Sequence, residues 1–327
     1  MMKNPAGPKT GFGAKALRFV ARQKAVVAIL LMLFVMLFFD TGFYTKYNIL
    51  DMLNSAAILE IMAFGVTLTI ICGGIDFSVG AVMSLSGIIT IKLMKFMPLW
   101  CAILIAVACG ALVGFMNGFL IVQHKTEPMI ITLGMGMVVK GIAQQITDAH
   151  PVPAMNLKFM KLANGKAVAG IPNLIMIMLV MFVIFHFILR YTSFGRNCYA
   201  VGGDYNVAQM SGIKAKQTKW ASFVISGMLA AFCGVLLSSR LNTGSSIYGD
   251  ATALSVNCGC VVGGTSFGGG IGGIPQTFVG LLVLQMLENC MNMLGINAYV
   301  QQVCEGIIIL LILWSDCFAK KKKAEAV

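Results

Sequence analysis

Apolar runs of about 20 residues follow one another along almost the whole chain, and a helix of that length is what it takes to cross the hydrocarbon of a bilayer. The candidate spans are 25–39, 50–72, 77–94, 99–122, 128–147, 172–190, 220–238, 252–263, 275–293 and 299–317. With no water to satisfy the backbone, only helices and closed barrels span lipid. These runs are long and continuous, not short and alternating, which excludes the barrel. The reading is an all-α, polytopic helical membrane protein with about ten transmembrane segments, including broken or re-entrant helices. Composition agrees: 58% of residues are hydrophobic and 11% charged, about half the charge of a soluble domain. The run 252–263 is too short to cross unless it tilts, extends or re-enters.

A net charge of +12 raises the question of nucleic acid, and its placement answers no. With the N-terminus inside and ten crossings, sixteen of the 24 lysines and arginines fall on the inner face, in the two tails, at Lys125 and around 190–219. That is the positive-inside bias of a membrane protein, whose partner is the lipid bilayer. The chain divides into a cytoplasmic tail (1–24), a transmembrane domain (25–318) containing a cytoplasmic loop at 190–219, and a basic cytoplasmic tail (319–327). The first run lacks a small-residue cleavage site and reads as an uncleaved helix. The long outer loop 148–171 carries prolines and glycines that resist continuous helix; it reads equally as a solvated connector or as a lip that receives a soluble partner.

Catalytic signatures are missing. No G-x-x-x-x-G-K-[ST] or H-E-x-x-H occurs, so neither a P-loop nor a zinc-protease helix is encoded. The three histidines are far apart, and Cys258-x-Cys260 has no second pair nearby, so no metal site is expected. The chain does not read as an enzyme.

Two stretches interrupt the helical pattern with paired glycines: "CGGIDFSVGAVMSLSG" from Cys72 and "VGGTSFGGGIGG" from Val262, both containing G-G-x-x-F-x-x-G. Glycine lets the backbone leave the helix and lets another segment approach. At membrane depth such breaks are tolerated inside protein or beside a watery cavity, which makes both candidates for a translocation path; simple interfacial turns are the other reading. Asp76 and Ser78 read as the cap of the following helix. Glu60, Glu288 and Glu305 are ionisable groups within spans. They suit either an ion-coupled carrier using Glu60 and Glu288 or plain hydrogen bonding between helices.

The passage "YAVGGDYNVAQMSGIKAKQTKW" at 199–220 is the longest polar one. Val207, Met210 and Ile213 fall at i, i+3 and i+6, predicting a short amphipathic helix. It suits docking in a cleft of a soluble partner, or lying in headgroups. This passage resembles the cytoplasmic coupling loop of ABC importer permeases of the ribose/galactose/xylose class. The resemblance is carried by Tyr199, Ala200, Val201, Gly202, Gly203 and Asp204, then Ala208, Ser211, Gly212 and Ile213, with Met210 inside the same stretch. "GGIDFSVG" (73–80), "GFMNGFLI" (114–121, with Asn117), "EPMIITLGMG" (127–136), "VVGGTSFGGGIGG" (261–273) and "AYVQQVCEGIIIL" (298–310) are similar to that family's other segments, in the same order.

The resemblance implies a permease subunit in a bacterial inner membrane with both termini cytoplasmic, and a second permease copy in a homodimer. It further implies an ABC ATPase subunit docked inside and an extracytoplasmic sugar-binding protein outside. No cofactor is expected on this chain, since ATP is hydrolysed by the partner subunits. ATPase coupling falls to Gly202, Gly203, Asp204, Ala208, Met210, Ser211, Gly212 and Ile213. The translocation pathway falls to Gly73, Gly74, Asp76, Ser78, Asn117, Gly263, Gly264 and Ser266. Ala253 and Ser255 stand where the family often has an acidic pair, which sets the polar cluster near 250–256 apart.

Overall fold

The computed structural model describes residues 24–39, 42–166, 170–308 and 310–311, so the expected tails at 1–24 and 319–327 fall almost wholly outside them. The described residues are overwhelmingly helical. In chain order the helices are α1 (Lys24–Met36), α2 (Lys46–Ile71), α3 (Val79–Leu93), α4 (Leu99–His124), α5 (Pro128–Thr147), α6 (Leu157–Asn164) and α7 (Asn173–Tyr191). There follow α8 (Ser193–Gly203), α9 (Tyr205–Met210), α10 (Ala215–Leu241), α11 (Thr252–Val262), α12 (Ile274–Met293) and α13 over 298–308. Five of them, α2, α4, α5, α7 and α10, are long and apolar enough to cross a membrane.

The ends of these helices follow local chemistry. Thr45 caps α2 by accepting from Asn48 N. Pro128 opens α5, where its missing N–H costs nothing. α4 and α10 stop at residues in the left-handed region, Lys125 (φ 51°) and Asn242 (φ 54°).

α10 is the axis of the molecule, packed against α2, α3 and α4. Small residues permit the close approach. A Cβ on Gly227 would stand 2.3 Å from Gly110 O, and one on Gly234 would stand 1.9 Å from Met83 O. α2 is buried along most of its length, whereas α5 and α7 present Ile130, Met137 and Val183 outward, as lipid-facing helices do.

The loop 148–171 is, over its described residues, more ordered than a solvated connector. α6 forms between Pro153 and Gly165, buries Phe159 completely, and is tied to the end of α10 by Ala163 N to Ser239 Oγ (3.1 Å) and Asn164 Nδ2 to Arg240 O (3.0 Å). A two-residue strand β1 (Val152–Pro153) pairs antiparallel with β2 (Thr243–Gly244).

The short run 252–263 has an unusual solution. From β2 the chain follows α3 as an irregular leg, 245–251, with Ser245 and Ser246 buried. Gly249 N donates to Ser84 Oγ (2.9 Å), and Gly249 lies backbone to backbone on Gly80. Only then does α11 begin. Its 11 residues extend about 16 Å, half a bilayer, and Ser245, Ser246 and Gly249 of the leg before it are buried against the protein.

Candidate functional site

The three polar or glycine-rich stretches singled out in the sequence converge. The first break runs from Cys72 to Ser78, between α2 and α3. Gly73 adopts φ +72°, and Lys219 Nζ donates to its carbonyl at 3.0 Å. Gly74 is the close-approach residue: a Cβ there would meet Phe223 Cζ at 2.8 Å.

Asp76 is fully buried and organises this break. Its Oδ1 accepts from Ser78 N (3.0 Å) and Ser78 Oγ (2.7 Å), and its Oδ2 accepts from Ser226 Oγ of α10 (2.9 Å). Asn117 Nδ2 of α4 donates to Ser78 Oγ (2.9 Å), and Asn257 Nδ2 of α11 to Asp76 O (3.0 Å). Thr132 of α5 closes the ring, accepting from Phe77 N and donating to Ile75 O, both at 3.1 Å. The cap expectation is thus half corrected. Asp76 makes the turn, while the Ser78 hydroxyl donates to Asp76 and makes no capping bond to α3.

Asp76, Ser78 and Asn117 therefore share one cluster. Sequence reasoning missed Ser226, Asn257 and Thr132. Their signal was a polar residue inside an apolar helix, as in "VISGM" and "SVNCG", which cannot be told in sequence from routine bonding to the helix's own carbonyls.

The second break, Gly263 to Gly273, is held by backbone. Gly264, Gly269, Gly270 and Gly272 all have positive φ (108°, 81°, 70° and 146°). Gly263 packs on Gln276 O of α12. Ser266 N donates to Ile271 O (3.0 Å) and Gly269 N to Ser266 O (3.0 Å), which closes a tight loop. Gly263, Gly264 and Ser266 do not join the Asp76 cluster; the reach of the second break toward the first is made by Gly269 and Gly270.

At that point the polar passage enters. Gly202, near the end of α8, is wedged between the breaks: a Cβ on it would lie 1.7 Å from Ile71 O and 2.6 Å from Gly270 N. Gly270 N itself donates to Ile71 O (2.9 Å), Gly269 abuts the carbonyl of Gly202, and Tyr199 Oη donates to Gly272 O (2.8 Å). Three chain segments meet here with no side chain between them.

Beyond this junction the passage turns outward. Asp204 Oδ1 caps α9 by accepting from Asn206 N and Val207 N, each at 2.9 Å. Ala208 is buried against Val201 and Ala215, while Val207 and Met210 are exposed, Met210 to 88%. The expected stripe is corrected in one respect. α9 ends at Met210, Ser211 and Gly212 (φ +81°) make a turn, and Ile213 folds back into the joint with Ala208. The exposed apolar face is Val207 and Met210 alone.

Glu60 and Glu288 do not share a cavity. Glu60 is fully buried, with neither carboxyl oxygen hydrogen-bonded among the described residues; Glu288 is exposed on α12 and accepts from Gln285 Nε2 (2.8 Å). Among the described residues no group of histidine, cysteine, aspartate and glutamate side chains is placed to hold a metal ion.

Residues 48–313 match the family described as branched-chain amino acid transport system / permease component. The chain is 31% identical over 310 residues to the ribose import permease protein of Haemophilus influenzae, covering 94% of this chain and 96% of that protein. It is 35% identical over 288 residues to the ribose import permease protein of Bacillus subtilis, covering 87% and 88%. To the L-arabinose transport system permease protein of Escherichia coli it is 32% identical over 286 residues, 87% of each. No solved structure matches the chain.

Proposed function

The chain belongs to the family of branched-chain amino acid transport system permease components, and from that premise we propose that it is the membrane-spanning permease subunit of an ATP-binding-cassette importer for a small carbohydrate. The names of the ribose and arabinose permeases it resembles support the substrate class. In this reading the subunit sits in the bacterial inner membrane with ten crossings and both termini in the cytoplasm. The eighth crossing is the irregular leg 245–251 continued by α11. A second copy completes the pathway, an extracytoplasmic binding protein delivers the sugar, and separate ATPase subunits dock at 202–213 and hydrolyse ATP. This chain itself binds no cofactor.

The observation that carries the reading is the glycine junction. A docked ATPase grips Val207 and Met210 and displaces α8 and α9 together. Because Gly202 touches Ile71 and Gly270 directly, that displacement reaches both helix breaks as rigid-body motion. The Asp76 cluster then holds the first break to α4, α5, α10 and α11, so the spans move as one set and the pathway alternates between its two openings.

The test is reconstitution of the permease in liposomes with its ATPase and binding protein. Sugar uptake is expected to stop when the ATPase cannot hydrolyse ATP. Uptake that follows a proton or sodium gradient with no ATPase present overturns the reading in favour of an ion-coupled carrier. Gly212→Glu is expected to abolish ATPase docking while the spans stay folded, since a side chain there meets no neighbour within 4 Å and the strain at its φ of +81°, about 1–2 kcal/mol, is confined to the turn.

A further inference from the structure

Beside α11, toward the outer ends of α12 and α13, lies a cleft of about 310 Å³ that none of the residues discussed above as coupling or pathway positions enters. Its polar wall consists of Ser255, Gln285, Glu288, Gln301, Gln302 and Glu305, and its opposite wall is apolar, with Leu59, Leu281 and Leu284. Gln285 and Glu288 share one face of α12 at i and i+3; Gln301, Gln302 and Glu305 share one face of α13. Glu288 lies five residues before the end of α12, and Glu305 lies seven residues into α13, placing both about 8–10 Å along their helices from the outer ends. Ionisable groups at that depth face water or protein, not lipid.

The internal bonds leave capacity in the cleft. Ser255 Oγ donates to Glu305 Oε1, Gln285 to Glu288, and Gln301 Nε2 to Asn292 Oδ1 (2.8 Å). Each carboxylate retains a second oxygen, and Gln285 and Gln302 retain donor and acceptor capacity; Gln301, whose Nε2 also donates to Ile296 O (2.8 Å), keeps only its carbonyl acceptor. Among the described residues no lysine, arginine or histidine lines the cleft; Lys140 is paired with Asp250 at 2.7 Å. Adjacent carboxylate and carboxamide groups match the alternating donors and acceptors of neighbouring hydroxyls, and a leucine wall accepts the C–H face of such a molecule. An anionic substituent would meet two carboxylates and, among the described residues, no cation.

We propose that this cleft is the permease's own recognition site for an uncharged polyhydroxylated substrate, and that Glu288 and Glu305 turn away sugars bearing phosphate or carboxylate. The inference rests on the importer reading above and adds a selectivity step within the membrane subunit.

The test uses the full permease assembled with its ATPase in nanodiscs, carrying Ser255→Cys or, separately, Thr252→Cys, which lines the same cleft. Each is labelled with a cationic or an anionic methanethiosulfonate, and modification is read at that residue by peptide mass mapping. The cationic reagent is expected to react about tenfold faster or more, and the two rates to converge when Glu288→Gln and Glu305→Gln are added. Saturating D-ribose is expected to slow labelling about threefold or more, and D-ribose 5-phosphate to leave it unchanged. Cysteines that react with neither reagent, equal rates for both, or equal protection by the phosphate overturn the proposal. If any of these occurs while ATP-driven uptake persists, the cleft inference falls and the importer reading stands; uptake without an ATPase removes the importer reading itself.

Discussion

The two helix breaks share G-G-x-x-F-x-x-G in sequence and are built on opposite principles. In the first, Gly73 takes the left-handed conformation and Gly74 makes the close approach; in the second the order is reversed, with Gly263 packed on Gln276 O and Gly264 at φ +108°. The first is locked by side chains from four helices, α4, α5, α10 and α11, converging on Asp76 and its neighbours. The second is a run of positive-φ glycines closed by backbone bonds. A shared string of characters therefore does not make a structural repeat. The first break is a rigid clamp that gathers the helix ends, and the second is a loop shaped to fit against it. The glycine junction is where the two meet, with Gly202 between.

That contrast can be broken by substitution. The largest effect is expected at Gly202→Val, where no side chain fits between Ile71 O and Gly270 N; folded permease in the membrane should fall about tenfold or more, read by quantitative blotting after solubilisation. Normal abundance and uptake would show that the junction opens freely and transmits nothing. Asp76→Ala follows. It strands the hydroxyls of Ser78 and Ser226 and the amide of Ser78 in a dry interior, at a cost of about 3 kcal/mol or more, measured as a lowered thermal midpoint in detergent. Gly269→Ala places an alanine at φ +81° against Gly202 O, and the conformational part alone costs about 1–2 kcal/mol. If Asp76→Ala proves no more damaging than Gly269→Ala, the distinction between a side-chain clamp and a backbone loop is lost. The smallest effect is expected at Gly203→Ala, whose Cβ meets nothing within 4 Å; its midpoint should stay within about 0.5 kcal/mol of the parent. A large loss there would mean that the specificity assigned to Gly202 belongs to the whole pair.

Much of this was legible in the sequence, because hydrophobic run length and glycine placement are local signals. The long spans, the two breaks and the polar passage all stand where those signals put them. Asp76 and Ser78 were legible as a helix start, but which of them makes the turn depended on Ser226, 150 residues away. Gly202 and Gly270 were each visible as glycines; their contact was not, since nothing in either stretch encodes the other. The cleft between α11, α12 and α13 escaped for a similar reason. Gln285 and Glu288 show the right spacing on α12, as do Gln301 and Glu305 on α13, but only the packing of the two helices turns two polar faces into one enclosure. The run 252–263 forms a helix of only 11 residues, and the irregular leg before it carries no hydrophobic periodicity to announce it.

The half-length helix α11 also bears on biogenesis. A segment of 11 residues preceded by irregular backbone does not partition into lipid unaided, because the exposed amides of its leg would go unsatisfied there. Its seat is made by Gly80 and Ser84 of α3 and by the Asp76 turn, all synthesised well over a hundred residues earlier. The stretch therefore finds partners for its polar backbone only where α3 and the Asp76 turn are already in place.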